Sequence, residues 1–157
     1  MTAFTTKSCL VDAMKAVVTR VKQASVTIDG NVNGAIEQGF LVLLGVGPDD
    51  TEQTAVMMAD KICGVRVFGD DVGKMNLSLG SVGGKLLVVS QFTLYADLSS
   101  RRPGFSRAAK PDKAIALYEK FMQECAARGF EVQHGEFGAD MQVESVNDGP
   151  VTLIFEL

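Results

Sequence analysis

Tryptophan is absent from this 157-residue chain, and histidine occurs once, at His134. A metal centre built from several imidazoles is therefore out of reach within one chain. A Ser-His-Asp arrangement would have to use that single residue, which sits in an alternating, strand-like run. Cysteine is scarce. Cys9, Cys63 and Cys125 are odd in number and far apart, with no Cys-x-x-Cys pair, so neither a disulfide framework nor a zinc site is favoured. Buried thiols are expected at Cys63 and Cys125. No apolar run approaches the roughly 18 residues of a membrane helix. Residues 1–13 lack the basic start and apolar middle of a secretory signal, so a cytoplasmic protein with no membrane partner is expected. Glycines at Gly69, Gly73, Gly80, Gly83 and Gly84 form neither a Walker loop nor a GxGxxG fingerprint. ATP and NAD chemistry are thereby disfavoured, and no cofactor or metal is expected.

What is present describes one ordinary domain. The composition, 46% hydrophobic and 22% charged without charge blocks, is that of a single folded unit able to bury one core. A formal charge of −4 argues against nucleic-acid binding by bulk electrostatics. Locally the balance reverses: the Gly- and Pro-containing stretch 99–110 carries Arg101, Arg102, Arg107 and Lys110 and no acid. Such a loop suits phosphates, and equally a solvated surface.

Along the chain, Val17, Val21 and Ala24–Ile28 read as strand, and Asp29-Gly30 is a two-residue turn signal. Val32–Ile36 is then the returning strand, and Phe40–Val46 an apolar strand too hydrophobic to face water. Asp50 followed by Gln53 resembles a capping box for a helix carrying Ala55, Met58, Ile62 and Val65 and ending near Gly64. A short strand, Val65–Phe68, leads to Asp70-Asp71 in a Gly-flanked turn, without the alternating ligands of a calcium loop. Pro111 suits the first turn of a second helix with an Ile115, Tyr118, Met122, Cys125 stripe, and Gly129 suits its end. Phe130–Gln133, Met141–Val146 and Val151–Phe155 close the chain as strands, the last two joined through Asn147-Asp148-Gly149-Pro150. These elements predict an α+β domain of mixed or antiparallel sheet with two main helices.

The segment from Lys85 to Asp97 stands apart. An apolar strand, Lys85–Val89, runs directly into Ser90, Gln91, Phe92 and Thr93, which brings donors and acceptors to the end of a rigid element. Strands also end this way for turn-forming reasons alone. The segments Phe137–Val143 and Val146–Thr152 decide the matter. With Ser90-Gln91-Phe92-Thr93, Gly149-Pro150, Met75–Ser78, Gly83-Gly84-Lys85 and Arg102-Pro103, in this order and spacing, the chain closely resembles the D-aminoacyl-tRNA deacylases from about Met14 to its end. Residues 1–13 precede the resemblance and are expected to be an extension, disordered or untranslated, with residues 14–157 forming the single deacylase domain.

The resemblance implies a barrel-like deacylase fold and an ester hydrolase that removes D-amino acids, and in some cases glycine, from the 3′ end of tRNA. It implies a homodimer with active sites at the interface. Thr93, Ser90 and Gln91 are the implied catalytic segment, and Phe92, Met141, Phe137 and Ala139 the implied substrate-binding residues, core packing being an equal reading for Phe137. Gly149-Pro150 resembles a family motif whose peptide is cis and whose carbonyls face the amino acid from the partner subunit. A rigid main-chain wall of that kind would reject an L side chain yet admit D or glycine, selection by exclusion. An edge-strand proline is the plainer reading. Arg20 matches an arginine that supports this motif, and Arg101, Arg102, Arg107 and Lys110 are the phosphate candidates. Such chemistry needs mainly positioned donors at an oxyanion, which backbone N–H groups can supply. Either Thr93 acts directly, without an activating base at hand, or the terminal ribose 2′-OH assists an attacking water, the reading we favour. A tRNA-end-binding module without hydrolysis and a hydrolase of small esters are the alternatives.

Overall fold

The computed structural model describes residues 13–157, so the expected extension, Ala13 apart, and Cys9 lie outside the described residues. The chain runs through β1 (Lys15–Ile28), β2 (Asn31–Ile36), β3 (Gly39–Gly45), α1 (Glu52–Gly64), β4 (Arg66–Gly69), β5 (Met75–Ser78), β6 (Lys85–Ser90), α2 (Pro111–Ala127), β7 (Val132–His134) and β8 (Gln142–Glu156). Short 3-10 turns occupy Gly80–Val82 and Phe92–Tyr95. β1 organises the sheet. One edge pairs with β3 over Lys15–Val21 and then with β2 over Ala24–Ile28, while the other edge carries β8. β3 and β6 are parallel, as are β6 and β7, giving the order β2-β1-β3-β6-β7. The two ends of that order curl toward each other: Asn33 Nδ2 donates to His134 O at 2.7 Å, and a Cβ on Gly34 would sit 2.9 Å from the same oxygen. The result is the expected α+β fold, a nearly closed, barrel-like mixed sheet with two main helices.

The period-2 alternation of the central strands separates two cores. Phe40, Val42 and Leu44 of β3 and Leu86 and Val88 of β6 face the helices, where they meet Met58, Ile62, Leu117 and Phe121. Leu41, Leu87 and Val89 point the other way, into the barrel with Val21, Val26 and Ile36. β3 and β6 are thus covered on both faces, which is why they read as continuous apolar runs. Complete burial of a Phe or Leu such as Phe40, Phe121 or Leu86 contributes about 1.5–3 kcal/mol each. Cys63 and Cys125 are both buried, their sulfurs 3.8 Å apart between α1 and α2.

Four local expectations are corrected. The capping box of α1 is Thr51 with Thr54, not Asp50 with Gln53. Asp50 is 5% exposed and engaged elsewhere, accepting from Met14 N at 3.1 Å and Gly47 N at 2.6 Å. The buried stripe of α2 is Ala114, Leu117, Tyr118, Phe121 and Cys125, with Ile115 and Met122 only partly covered, because the face toward α1 and the sheet is rotated from the one expected. Met75–Ser78, not expected as strand, pairs with β4 across the Asp70-Asp71 turn, where Asp70 Oδ1 accepts from Val72 N and Lys74 N at 3.0 and 2.9 Å. Finally, the last two expected strands are one element, β8, with Gly149-Pro150 inside it.

Candidate active site

β6 ends where its parallel neighbour ends. Gln91 N donates to Leu44 O at 2.8 Å, and the chain then tightens into the Phe92–Tyr95 turn, held by Leu94 N to Gln91 O at 3.2 Å and Ala96 N to Thr93 O at 3.1 Å. Buried Tyr95 anchors this turn by donating to Ala13 O and, at 3.2 Å, to Gly45 O. Gly45 makes the approach possible: a Cβ there would lie 2.8 Å from the Tyr95 ring and 3.1 Å from Gln91 O. Gly45 was missed in the sequence, where a glycine closing an apolar strand is the mark of a close backbone approach.

A cavity of about 670 Å³ opens beside this turn. Ser90, Gln91 and Phe92 form one wall and Phe137, Ala139 and Met141 the other, while Ala114 of α2, Phe105 and Lys110 bound it further. The structure therefore brings the two motif segments to one concave site. Phe137 lines the cavity and also packs on the core, with its ring centroid 6.3 Å from that of Tyr118. Met141 reaches the barrel core, packing over Gly135, where a Cβ would come within 2.5 Å of its sulfur. Thr93 is not among the residues lining the cavity; it is half-buried, its hydroxyl accepting from Gln91 Nε2. His134 lies outside the lining, exposed at the end of β7 with Nδ1 2.6 Å from Gly135 O. Its ring is engaged with that carbonyl and makes no hydrogen bond to Ser90 or Thr93, so a Ser-His-Asp triad is not assembled here. Apart from the exposed Lys110 and Asp140, the polar groups of the cavity are hydroxyls, an amide and main chain, which suit charge stabilisation at a carbonyl and orientation of a water better than covalent chemistry. Among the described residues, no group of three or more His, Cys, Asp or Glu is placed to hold a metal.

The Gly149–Pro150 peptide is cis, and Gly149 has φ +124°. Neither residue lines the cavity of its own chain. They belong to an excursion of β8: Thr152 pairs with Thr19 and Asn147 with Val21, so residues 148–151 all stand opposite Arg20. Arg20 occupies the resulting space. Its Nε donates to Asp148 O at 3.1 Å and lies 3.5 Å from the Asp148 carboxylate, and its Nη1 donates to Val67 O. Earlier in β8, Val143 and Val146 are 40% and 45% exposed, Val143 as part of the cavity lining.

The basic loop is closed on itself. Asp97 N donates to Gly104 O at 2.7 Å and Gly104 N to Asp97 O at 3.0 Å. The N–H of Ser99, 3.0 Å from Asp97 Oδ1, is the chief reason that this carboxyl is held below its ordinary range. Arg101 and Arg102 are exposed between these ends, and Arg107 is exposed beyond them between Ser106 and Ala108 of the cavity lining, to which Lys110 also belongs. Ala109 N donates to Val46 O at 2.9 Å, fixing the far end of the segment before α2 begins.

Comparison with known proteins agrees with this geometry. The family model described as D-Tyr-tRNA(Tyr) deacylase matches residues 17–156. Proteins named D-aminoacyl-tRNA deacylase are 53% identical in Koribacter versatilis and 56% in Exiguobacterium sibiricum, each over 91% of this chain and 97% and 99% of theirs. The Thermus aquaticus protein of that name is 55% identical over 91% of this chain and 95% of its own. A solved structure of a c-Myc DNA unwinding element binding protein superposes with TM-score 0.85 at 39% identity, covering 91% of this chain and 98% of the other. A probable eukaryotic D-amino acid tRNA deacylase, 16% identical, shares the fold with TM-score 0.82 over 92% of this chain and all of its own. With the family model matched over nearly the whole sheet and both cavity segments, this chain belongs to the D-Tyr-tRNA(Tyr) deacylase family of enzymes.

Proposed function

We propose that this chain hydrolyses the ester linking a D-amino acid to the 3′ end of tRNA in the cytoplasm, releasing the free D-amino acid, and that glycine is accepted at the same site. The observation that carries the reading is the meeting of Ser90–Phe92 and Phe137–Met141 in one cavity, within a chain that matches the deacylase family over residues 17–156. The attacking group is a water assisted by the terminal ribose 2′-OH, and main-chain donors of the Ser90–Thr93 turn stabilise the oxyanion. Ser90 and Gln91 position the ester, and Phe92, Phe137, Ala139 and Met141 enclose the amino acid or the terminal adenosine. Thr93 acts through Gln91, whose amide donates to its hydroxyl. Arg101, Arg102, Arg107 and Lys110 meet tRNA phosphates.

Handedness is sensed in a homodimer, by the Gly149-Pro150 main chain of one protomer lining the cavity of its partner. One fact supports this arrangement: the motif does not line the cavity of its own chain. A wall of main chain excludes an L side chain and leaves room for hydrogen. Rapid deacylation of D-tyrosyl-tRNA and glycyl-tRNA with L-tyrosyl-tRNA spared is the expected result with purified protein. Binding of tRNA without turnover would replace this reading with that of an RNA-end-binding module, a reading favoured by the nucleic-acid-binding name of one structural relative. Hydrolysis of small esters with every aminoacyl-tRNA spared would replace it with a small-ester hydrolase.

A further inference from the structure

Phe105 belongs to no element of the proposed chemistry, yet it sits at the cavity mouth with its ring centroid 5.4 Å from that of Phe92 and the planes at 74°. Both rings are open to solvent, Phe92 at 54% and Phe105 at 40%. Two exposed aromatics in edge-to-face contact are unusual for a surface that nothing visits. Their position is well held. Phe92 begins the 3-10 turn after β6, and Phe105 directly follows Gly104, whose two hydrogen bonds with Asp97 close the basic loop. The segment that carries Phe105 is basic: residues 97–110 hold Arg101, Arg102, Arg107 and Lys110 against the single acid Asp97, in a chain whose total charge is −4. Asp97 is itself engaged by Ser99 N–H. Aromatic faces interleaved with cations along a groove are what single-stranded nucleic acid requires, because bases stack on the rings while the phosphates meet the charges.

We propose that Phe92 and Phe105 form a stacking platform for the nucleotide immediately preceding the esterified one, so that the single-stranded tRNA end is gripped outside the amino-acid pocket. The inference rests on the deacylase reading above and adds a subsite to it. Open faces at the rim of the cavity receive the base that follows out of it, and the exposed arginines of the Phe105 segment receive its phosphate. A terminal adenosine ester alone would leave the Phe105 side of this platform empty.

The test compares two small substrates, the D-tyrosyl ester of adenosine and that of cytidylyl-adenosine, with the wild-type enzyme and the variants Phe105→Leu and Phe105→Tyr. In the wild type, the added cytidine is expected to lower KM about tenfold, the order of one base stacked on an aromatic ring. Phe105→Leu should abolish that ratio and Phe105→Tyr should restore it, with the denaturation midpoints of all three proteins checked for equality. If the unfolding of Phe105→Leu differs, the wild-type ratio and the Phe105→Tyr ratio still decide. A wild-type ratio near one, or a ratio unchanged in Phe105→Leu of equal stability, overturns the platform while leaving the deacylase reading intact. Hydrolysis of neither small ester nor of D-tyrosyl-tRNA overturns both.

Discussion

Arg20 and Asp148 are 128 positions apart in sequence, and Arg20 Nε donates to the Asp148 main-chain oxygen at 3.1 Å. The contact exists because β8 spends residues 148–151 opposite Arg20 alone between two rungs of its ladder with β1. An arginine on a regular strand thus becomes the strut beneath the Gly149-Pro150 segment, tied by its other end to Val67 O at the β4 strand. A Cβ on Gly149 would come within 3.1 Å of Arg20 Nη2, so glycine and strut fit each other.

Replacing this strut by lysine should be costly. Arg20 reaches two carbonyls through different nitrogens of one planar fork, and a lysine ammonium cannot span both. Arg20→Lys is expected to lower unfolding free energy by about 1–3 kcal/mol, measured by urea denaturation. If Gly149-Pro150 sets handedness as proposed, the ratio of D- to L-tyrosyl-tRNA hydrolysis should fall as well. An unchanged ratio in a folded but destabilised variant would separate the strut from selectivity.

Thr93→Ala should leave deacylation within about tenfold of the wild type. The hydroxyl accepts from Gln91 and is not among the groups lining the cavity, and removal of a true nucleophile typically costs about 10⁴-fold or more. Single-turnover rates on D-tyrosyl-tRNA give the answer. The complementary substrate, ending in 2′-deoxyadenosine, should be the one that reacts far more slowly.

Gly45→Ala is expected to impair both stability and turnover. The new methyl would sit 2.8 Å from the Tyr95 ring and 3.1 Å from Gln91 O, closer than van der Waals contact, and relief requires moving the turn that carries the Ser90–Thr93 segment. A loss of about 1–3 kcal/mol is the usual scale of such overpacking. Thermal denaturation and kcat, measured together, should both move, whereas a surface glycine such as Gly64, with open space around it, should tolerate alanine.

Asp50 supplies a pH signature. Burial, outweighing two backbone hydrogen bonds, raises its carboxyl above the ordinary range. The folded chain therefore keeps this proton to higher pH than the unfolded chain does, and the contribution is fully present below the unfolded value and lost as pH rises through the folded one. Asp50→Asn removes that dependence. It also faces an amide NH2 toward one of two N–H donors, Met14 N or Gly47 N, costing about 1–3 kcal/mol for an unsatisfied buried group. Urea titrations of both proteins across the acidic range should show a stability difference that narrows as pH rises.

Local chemistry was plain to read. Asp29-Gly30 closes the β1–β2 hairpin with both residues at positive φ; continuous apolar runs marked β3 and β6; Pro111 opens α2 and Gly129, at φ +93°, follows it. Each depends on steric limits acting within a few residues, so neighbours in sequence suffice. The motif segments were legible too, as a pattern of residue types. Tertiary structure alone decided the rest. Asp50 abandoned the helix cap because Met14 and Gly47 brought N–H groups to it, and Thr51 took over. The buried face of α2 turned toward Leu117 and Phe121 because the helix packs on α1 and the sheet together. Thr93 came to accept from the Gln91 amide, Phe105 arrived beside Phe92, and two expected strands merged across from Arg20. Those outcomes turn on which distant backbone groups lie within hydrogen-bond or van der Waals reach, a matter settled when the sheet curls and closes rather than by any window of the chain.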